Sequence, residues 1–357
     1  MQMRGPAQKG RGALALVVLV ILCLSAAEVR ADTESTVLAK YRAGVDRAVD
    51  RALKFLARDQ EKNPAGDGSF TGQHGKTNGV VALAGMAFLS KGYTPAVGPH
   101  SNTIRRCIDY VLSTNSANGY LGVRGGQMYG HAIATLFLSE VSGMVSPARQ
   151  KRIDVVLPKA LKVILSAHAV PKDGKSTGGW RYNPKSTDSD LSVSGWNLMA
   201  LRSARLNGAP VDGKSIKKAI KYVDACRHAG SGGFGYQPGA STPPMTAVGL
   251  LCRELGGHHG DEINQKAGDF LLKSLNTNGF LPNSHLEYAT YYASQGMFQL
   301  GGRHWDRFAE AMYKFILPRQ QANGSWKSVH NYGASYATAM YTLALSVSYR
   351  QLPIYQR

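Results

Sequence analysis

Asp190, His131 and Glu287 are the residues best placed by type to do proton chemistry in this chain. A carboxylate beside an imidazole can act as a general acid and base. Asp190 with His131 could form such a pair, and Glu287 could add a second carboxylate. Two carboxylates about 5–10 Å apart would suit glycoside hydrolysis, a separation that sequence alone does not supply. Asp190 also opens the run Asp190-Leu191-Ser192-Val193-Ser194-Gly195, which reads equally as the N-cap of a helix. Around these lie aromatic and polar side chains suited to gripping a ligand: Tyr129, Trp196, Arg181, Tyr182, Tyr236, Glu287, Tyr288, Tyr291, Tyr292 and Tyr336. His74, Asn78, Ser194, Thr246 and Ser335 stand at similar places along the chain. The competing reading is that the tyrosines simply fill a core and bond backbone groups.

These residues fall at recurring positions. A glycine–aromatic tag appears six times: Gly68-Ser69-Phe70, Gly119-Tyr120, Gly178-Gly179-Trp180, Gly232-Gly233-Phe234, Gly279-Phe280 and Gly324-Ser325-Trp326. The aromatics are 50, 60, 54, 46 and 46 residues apart. A period near 50 fits a repeated pair of helices joined by a structured turn. Before each tag runs an amphipathic helix, such as Val45, Ala48, Val49, Ala52, Leu53 and Leu56. After each tag runs a helix apolar almost all round, such as Val80 to Leu89. A helix of that kind is buried on most sides.

The pattern predicts an all-α fold: an α/α toroid of six helical hairpins, with twelve helices in two concentric rings. The repeats span about 41–91, 101–143, 149–207, 212–256, 262–300 and 303–349. Ring closure buries the end units, which an open array would have to cap. The starts of the inner helices should then surround one mouth of the ring, and the candidate residues cluster there. Pockets form where a few polar groups converge on an apolar cavity.

Residues 1–31 read as a signal peptide. Arg4, Lys9 and Arg11 precede an apolar run from Ala13 to Ala27, and Val29-Arg30-Ala31 offers a cleavage site near Ala31. The expectation is an exported protein, periplasmic or secreted, with residues 32–357 as a single toroid domain. Removing Arg4, Lys9, Arg11, Arg30 and Glu28 lowers the formal charge from +19 to +16. Such a field favours anionic glycans or lipids. Export disfavours nucleic acid as a partner. Cys107, Cys226 and Cys252 remain; Cys226 and Cys252 flank the fourth tag and could pair, and Cys107 lies on an apolar helix face. None has metal-ligand spacing, so no metal and no cofactor is expected.

The last unit reads Phe315-Ile316, three residues, Gln320, three residues, Gly324, one residue, Trp326. This resembles the glutamine–tryptophan repeat of squalene and oxidosqualene cyclases. The tags ending in Trp180, Phe234-Gly235-Tyr236 and Phe280 are similar to the looser prenyltransferase/squalene oxidase repeat. The resemblance covers about residues 41–350 and implies a terpenoid cyclase/protein prenyltransferase toroid with a central apolar cavity. Its chemistry does not carry over. Hopene-forming cyclases use a D-x-D-D-T-A stretch before an Ala-Leu pair. Counting back from Ala200-Leu201 leaves Asp190 alone, and a two-residue slip would keep Asp188 and Asp190 but lose the last aspartate. Asp224-Ala225-Cys226 spells the prenyltransferase Asp-x-Cys, but on an outer helix instead of an inner-helix start.

The leading expectation is therefore a toroid that cyclises nothing and binds an apolar or amphipathic small molecule, or a protein or glycan partner, in its mouth. The first alternative is a secreted lyase or hydrolase acting on acidic polysaccharide. The second is a divergent terpene cyclase. The sequence leaves the oligomeric state open.

Overall fold

The structure is a computed structural model that describes residues 36–123, 125–276, 279–282 and 285–355. The segment read as a signal peptide lies outside the described residues. Twelve α-helices run through them. The outer set is α1 (Thr36–Lys62), α3 (Ser101–Ser113), α5 (Pro147–Ala169), α7 (Gly213–Ala225), α9 (Glu262–Lys273) and α11 (Gly302–Ile316). The inner set is α2 (Asn78–Ser90), α4 (Gln127–Val141), α6 (Leu191–Leu206), α8 (Pro243–Leu255), α10 (Leu286–Leu300) and α12 (Ala334–Leu345). Each inner helix packs on the next, from α2 through α12, and α12 packs back on α2. The outer ring closes as well, with α11 against α1. Twelve helices in two concentric rings make the α/α toroid that the repeat predicts. Among the described residues the extended structure amounts to isolated bridges, such as Trp180 with Asp190.

Burial follows the two hydrophobic patterns. Every residue of α2 is buried. In α1 burial is one-sided, through Val45, Ala48, Val49, Ala52, Leu53 and Leu56. The α/α arrangement thus follows from alternating a helix with one dry face and a helix with nearly all faces dry.

The tags tie neighbouring hairpins together. Gly178 sits against the Lys218 carbonyl on α7, and Gly324 sits against the Arg51 carbonyl on α1. Trp180 and Trp326 each donate their indole N–H to the last turns of the preceding outer helix, at Ile164 O and Ile316 O, both at 2.9 Å. A polar side chain then pins the tag. Gln320 donates to the Gly324 carbonyl at 2.9 Å and to Ala48 O on the next outer helix at 2.8 Å. Gln60 does the same in the first unit, to Gly68 O at 2.9 Å and Thr103 O at 3.3 Å. In the third unit His168 bonds Gly178 O at 3.0 Å and stacks on Trp180.

A second register pins each turn to the inner helix. The backbone N–H of Trp180 donates to Ser194 Oγ at 2.8 Å, that of Phe234 to Thr246 Oγ1 at 3.0 Å, and that of Trp326 to Thr338 Oγ1 at 3.1 Å. In the second unit Leu121 N–H donates to His131 Nδ1 at 3.0 Å. The inner-helix starts are thereby held at one end of the ring, where the candidate site lies.

Candidate functional site

A cavity of about 440 Å³ opens at the mouth formed by the inner-helix starts. All six inner helices contribute to its wall. Its deeper part is apolar, with Leu83, Ile133, Trp196 and Met340 one to two turns into their helices. Its rim is polar and aromatic, with His74, Gln127, His285, Tyr332 and Tyr336. One side carries Tyr129, Tyr182, Ser192, Tyr236 and Tyr288. Among the described residues no aspartate, glutamate, lysine or arginine borders the cavity.

Asp190 stands directly behind that tyrosine side and is fully buried. It caps α6: its Oδ1 accepts the Val193 N–H at 2.8 Å. The same oxygen accepts the Ser192 hydroxyl at 2.6 Å. Ser192 in turn accepts the Tyr129 hydroxyl. Asp190 Oδ2 pairs with Arg181 at 3.0 Å, and Arg181 also meets Asp188 at 3.1 Å. From Arg181 the network runs on to the Tyr236 hydroxyl at 2.7 Å and from there to the Tyr182 hydroxyl at 2.6 Å. Burial raises the Asp190 pKa despite its three donors. Burial, reinforced by the Asp190 charge, pushes the Tyr129 phenol well above its ordinary value, so it stays protonated.

The other candidates take definite places. Tyr129, Tyr182, Trp196, Tyr236, Tyr288 and Tyr336 line the cavity. Arg181 backs it through Tyr236 and lies within cation–π distance of Tyr182, 4.9 Å from the ring centroid. Tyr291 stacks on Trp196 with centroids 5.2 Å apart, and Tyr292 meets the Trp196 edge-on at 5.2 Å. Both sit beneath the floor. Tyr291 continues to Tyr355 through a hydroxyl–hydroxyl contact, so the C-terminal turn Pro353–Tyr355 props the cavity floor from the far end of the ring.

The structure does not bring Asp190 and His131 together. His131 Nδ1 accepts Leu121 N–H, and Nε2 donates to Ala160 O at 3.1 Å. Both nitrogens are thus engaged, and burial holds the imidazole neutral, with its pKa lowered to about 4. Glu287 is buried behind the rim, where its Oε1 accepts Val329 N–H at 2.6 Å. Neither residue borders the cavity. Cys107, Cys226 and Cys252 are buried free thiols. No group of acidic, histidine or cysteine side chains among the described residues has the arrangement of a metal site.

Several cavity residues escape the sequence reading, among them Gln127, Met245, His285, Tyr332 and Met340. Met245 and Met340 look like ordinary core residues in an apolar helix. His285 and Tyr332 sit in the turns before α10 and α12, and position relative to the inner-helix start was the available signal.

No protein-family model and no curated protein sequence matches this chain. Solved structures do. The type II terpene cyclase MstE from Scytonema superposes with a TM-score of 0.58 at 16% identity, over 87% of this chain and 99% of that one. A variant of that cyclase has been solved with geranylgeranyl dihydroxybenzoate as substrate. An inactive variant of the α-1,6-mannanase GH76A of Salegentibacter sp. HEL1_6, in complex with α-1,6-mannotriose, gives a TM-score of 0.60 at 10% identity over 85% and 99%. A possible GH105 member from Salmonella enterica gives 0.55 at 13% over 85% and 93%. At these identities the likeness is one of fold. The chain has a terpenoid-cyclase-like α/α toroid, an architecture shared with glycoside hydrolases.

Proposed function

We propose that this toroid binds an apolar or amphipathic small molecule in its mouth cavity and does not cyclise it. The observation that carries the reading is the cavity itself: about 440 Å³, apolar at the floor, aromatic and polar at the rim, with no described charged side chain on its wall. An engineered apolar cavity of about 150 Å³ takes up benzene, so this one suits a ligand on the order of three times that size. The prenylated substrate of the cyclase neighbour has the same apolar-and-polar character.

The chemistry of the wall supports binding over turnover. Protonating an alkene needs a strong acid in contact with it. Asp190 is sealed behind Ser192 and Tyr129 and paired with Arg181. Glycoside hydrolysis needs two carboxylates at the substrate. Asp190 and Glu287 both lie outside the cavity wall. We further propose export, on the basic and apolar pattern of the first 31 residues. An anionic lipid or glycan surface would then be the natural neighbour of so basic a chain.

The test is to titrate the purified chain calorimetrically with long-chain amphiphiles and with a linear polyprenoid, then analyse the recovered ligand. Saturable binding with unaltered ligand is expected. Cyclised product, or turnover of uronic-acid polymers, would overturn the proposal. Val80→Trp, which places an indole in the cavity, should abolish binding while leaving the helical spectrum intact.

A further inference from the structure

The hydrogen bonds behind the tyrosine side fix which way its hydroxyls point. The Asp190 partners are all donors: Ser192 Oγ at 2.6 Å, Val193 N–H at 2.8 Å and Arg181 at 3.0 Å. An ionised carboxylate accepts only, so it consumes the single hydroxyl hydrogen of Ser192. Ser192 can then meet Tyr129 only as an acceptor, which consumes the Tyr129 hydrogen as well. The Tyr129 oxygen therefore offers the cavity lone pairs and no hydrogen.

The other arm ends with the opposite polarity. Arg181 has hydrogens to give and no lone pair, and it donates to the Tyr236 oxygen at 2.7 Å. Tyr236 and Tyr182 hold two hydroxyl hydrogens between them, and one of these makes their mutual bond at 2.6 Å. The second is left for the cavity that both residues line. A fixed acceptor and a spare donor thus share one wall, with the Tyr129 and Tyr182 ring centroids 5.7 Å apart.

We infer that the ligand carries a neutral hydroxyl head on an apolar body, read by Tyr129 and the Tyr182–Tyr236 pair. A hydroxyl both gives and takes a hydrogen bond, so it satisfies both groups. An ether has no hydrogen for Tyr129. A carboxylate lacks it too and would face the buried Asp190 charge. A hydrocarbon covers both wall groups and leaves them unmet, which costs affinity. This inference rests on the proposal that the cavity holds an amphipathic ligand.

The experiment compares four matched ligands by calorimetry: a long-chain primary alcohol, its methyl ether, the corresponding carboxylic acid at neutral pH, and the parent alkane. The alcohol should bind about tenfold tighter than the ether. Tyr129→Phe should bring that ratio close to one and, by removing one unmet wall group, strengthen alkane binding. Ser192→Ala frees the Tyr129 hydrogen, so it should raise affinity for the ether relative to the alcohol, a reversal that a merely structural role would not produce. Equal binding of alcohol and ether by the wild type, or tightest binding of the carboxylate, overturns the hydroxyl inference and leaves the cavity proposal standing. Failure of all four ligands to bind overturns both.

Discussion

Gly324 packs its α-carbon against the main-chain carbonyl of Arg51, and this contact joins the last hairpin of the ring to the first. A Cβ at position 324 would lie 2.4 Å from Arg51 O, and the residue holds φ at +95°. Arg51 returns a hydrogen bond to Gln321 O at 2.7 Å. No L side chain suits both the backbone conformation and the space. Gly324→Ala should therefore destabilise the fold by about 1–3 kcal/mol. Urea unfolding monitored by circular dichroism measures this directly. An unchanged midpoint would mean that the seam between α11 and α1 is not closed as described.

Asp190 has two structural duties, and substitution separates them. It caps α6 and holds Arg181. Asp190→Ala should lose the cap, about 0.5–2 kcal/mol, and also remove the buried one of the two carboxylates paired with Arg181, Asp190 and Asp188. Asp190→Ser should recover the cap and not the ion pair, so its stability should fall between the alanine variant and wild type. A serine variant as stable as wild type would show that the Arg181 pair contributes nothing to folding.

Glu140 should give the fold a distinctive response to pH. Its carboxyl is buried, accepts the Ser203 hydroxyl and lies 3.3 Å from Ile354 N–H in the C-terminal turn. Burial raises its pKa from 4.5 to about 7. The folded state thus keeps a proton that the unfolded chain releases, and the stability this contributes is full below 4.5 and lost as pH rises through 7. His131 and His168 act in the opposite sense. Burial lowers both to about 4 from 6.5, so their contribution is present above 6.5 and lost as pH falls toward 4. Glu140→Gln should therefore leave the acid sensitivity in place and gain stability over wild type as pH rises, on the order of 3 kcal/mol at most. Denaturant melts of both proteins at about pH 5 and pH 8 check this. Parallel pH profiles would contradict it.

The architecture was legible because two periodicities were superimposed: a hydrophobic pattern of 3.6 residues inside each helix and a tag every 50 or so residues. Trp326 and Gln320 were legible as a motif, but the bond from Gln320 across the seam to Ala48 came only from the structure. Gln60 and His168 have the same role as Gln320, but no fixed spacing to an aromatic revealed them. Asp190 as a cap was readable from Ser192, Ser194 and Gly195 beside it. His131 was not. A histidine that replaces the hydroxyl of Ser194 or Thr246 in bonding the tag backbone looks, in sequence, like a histidine available for proton transfer. The cavity wall was legible where it used tyrosines at inner-helix starts and obscure where it used Met245 and Met340, whose side chains match the core. Which face of an inner helix points to the ring axis depends on its rotation, and an all-apolar helix carries no sequence signal for that.

The most direct measurement of the central claim uses Trp196, the one tryptophan of four on the cavity wall. Titration with a long-chain alcohol carrying a nitroxide on its tail should quench intrinsic fluorescence saturably. Trp196→Phe should remove that quenching and leave the emission of Trp180, Trp305 and Trp326 unaffected by the ligand. Quenching that does not saturate, or that persists unchanged in Trp196→Phe, would contradict a ligand site in the mouth of the toroid.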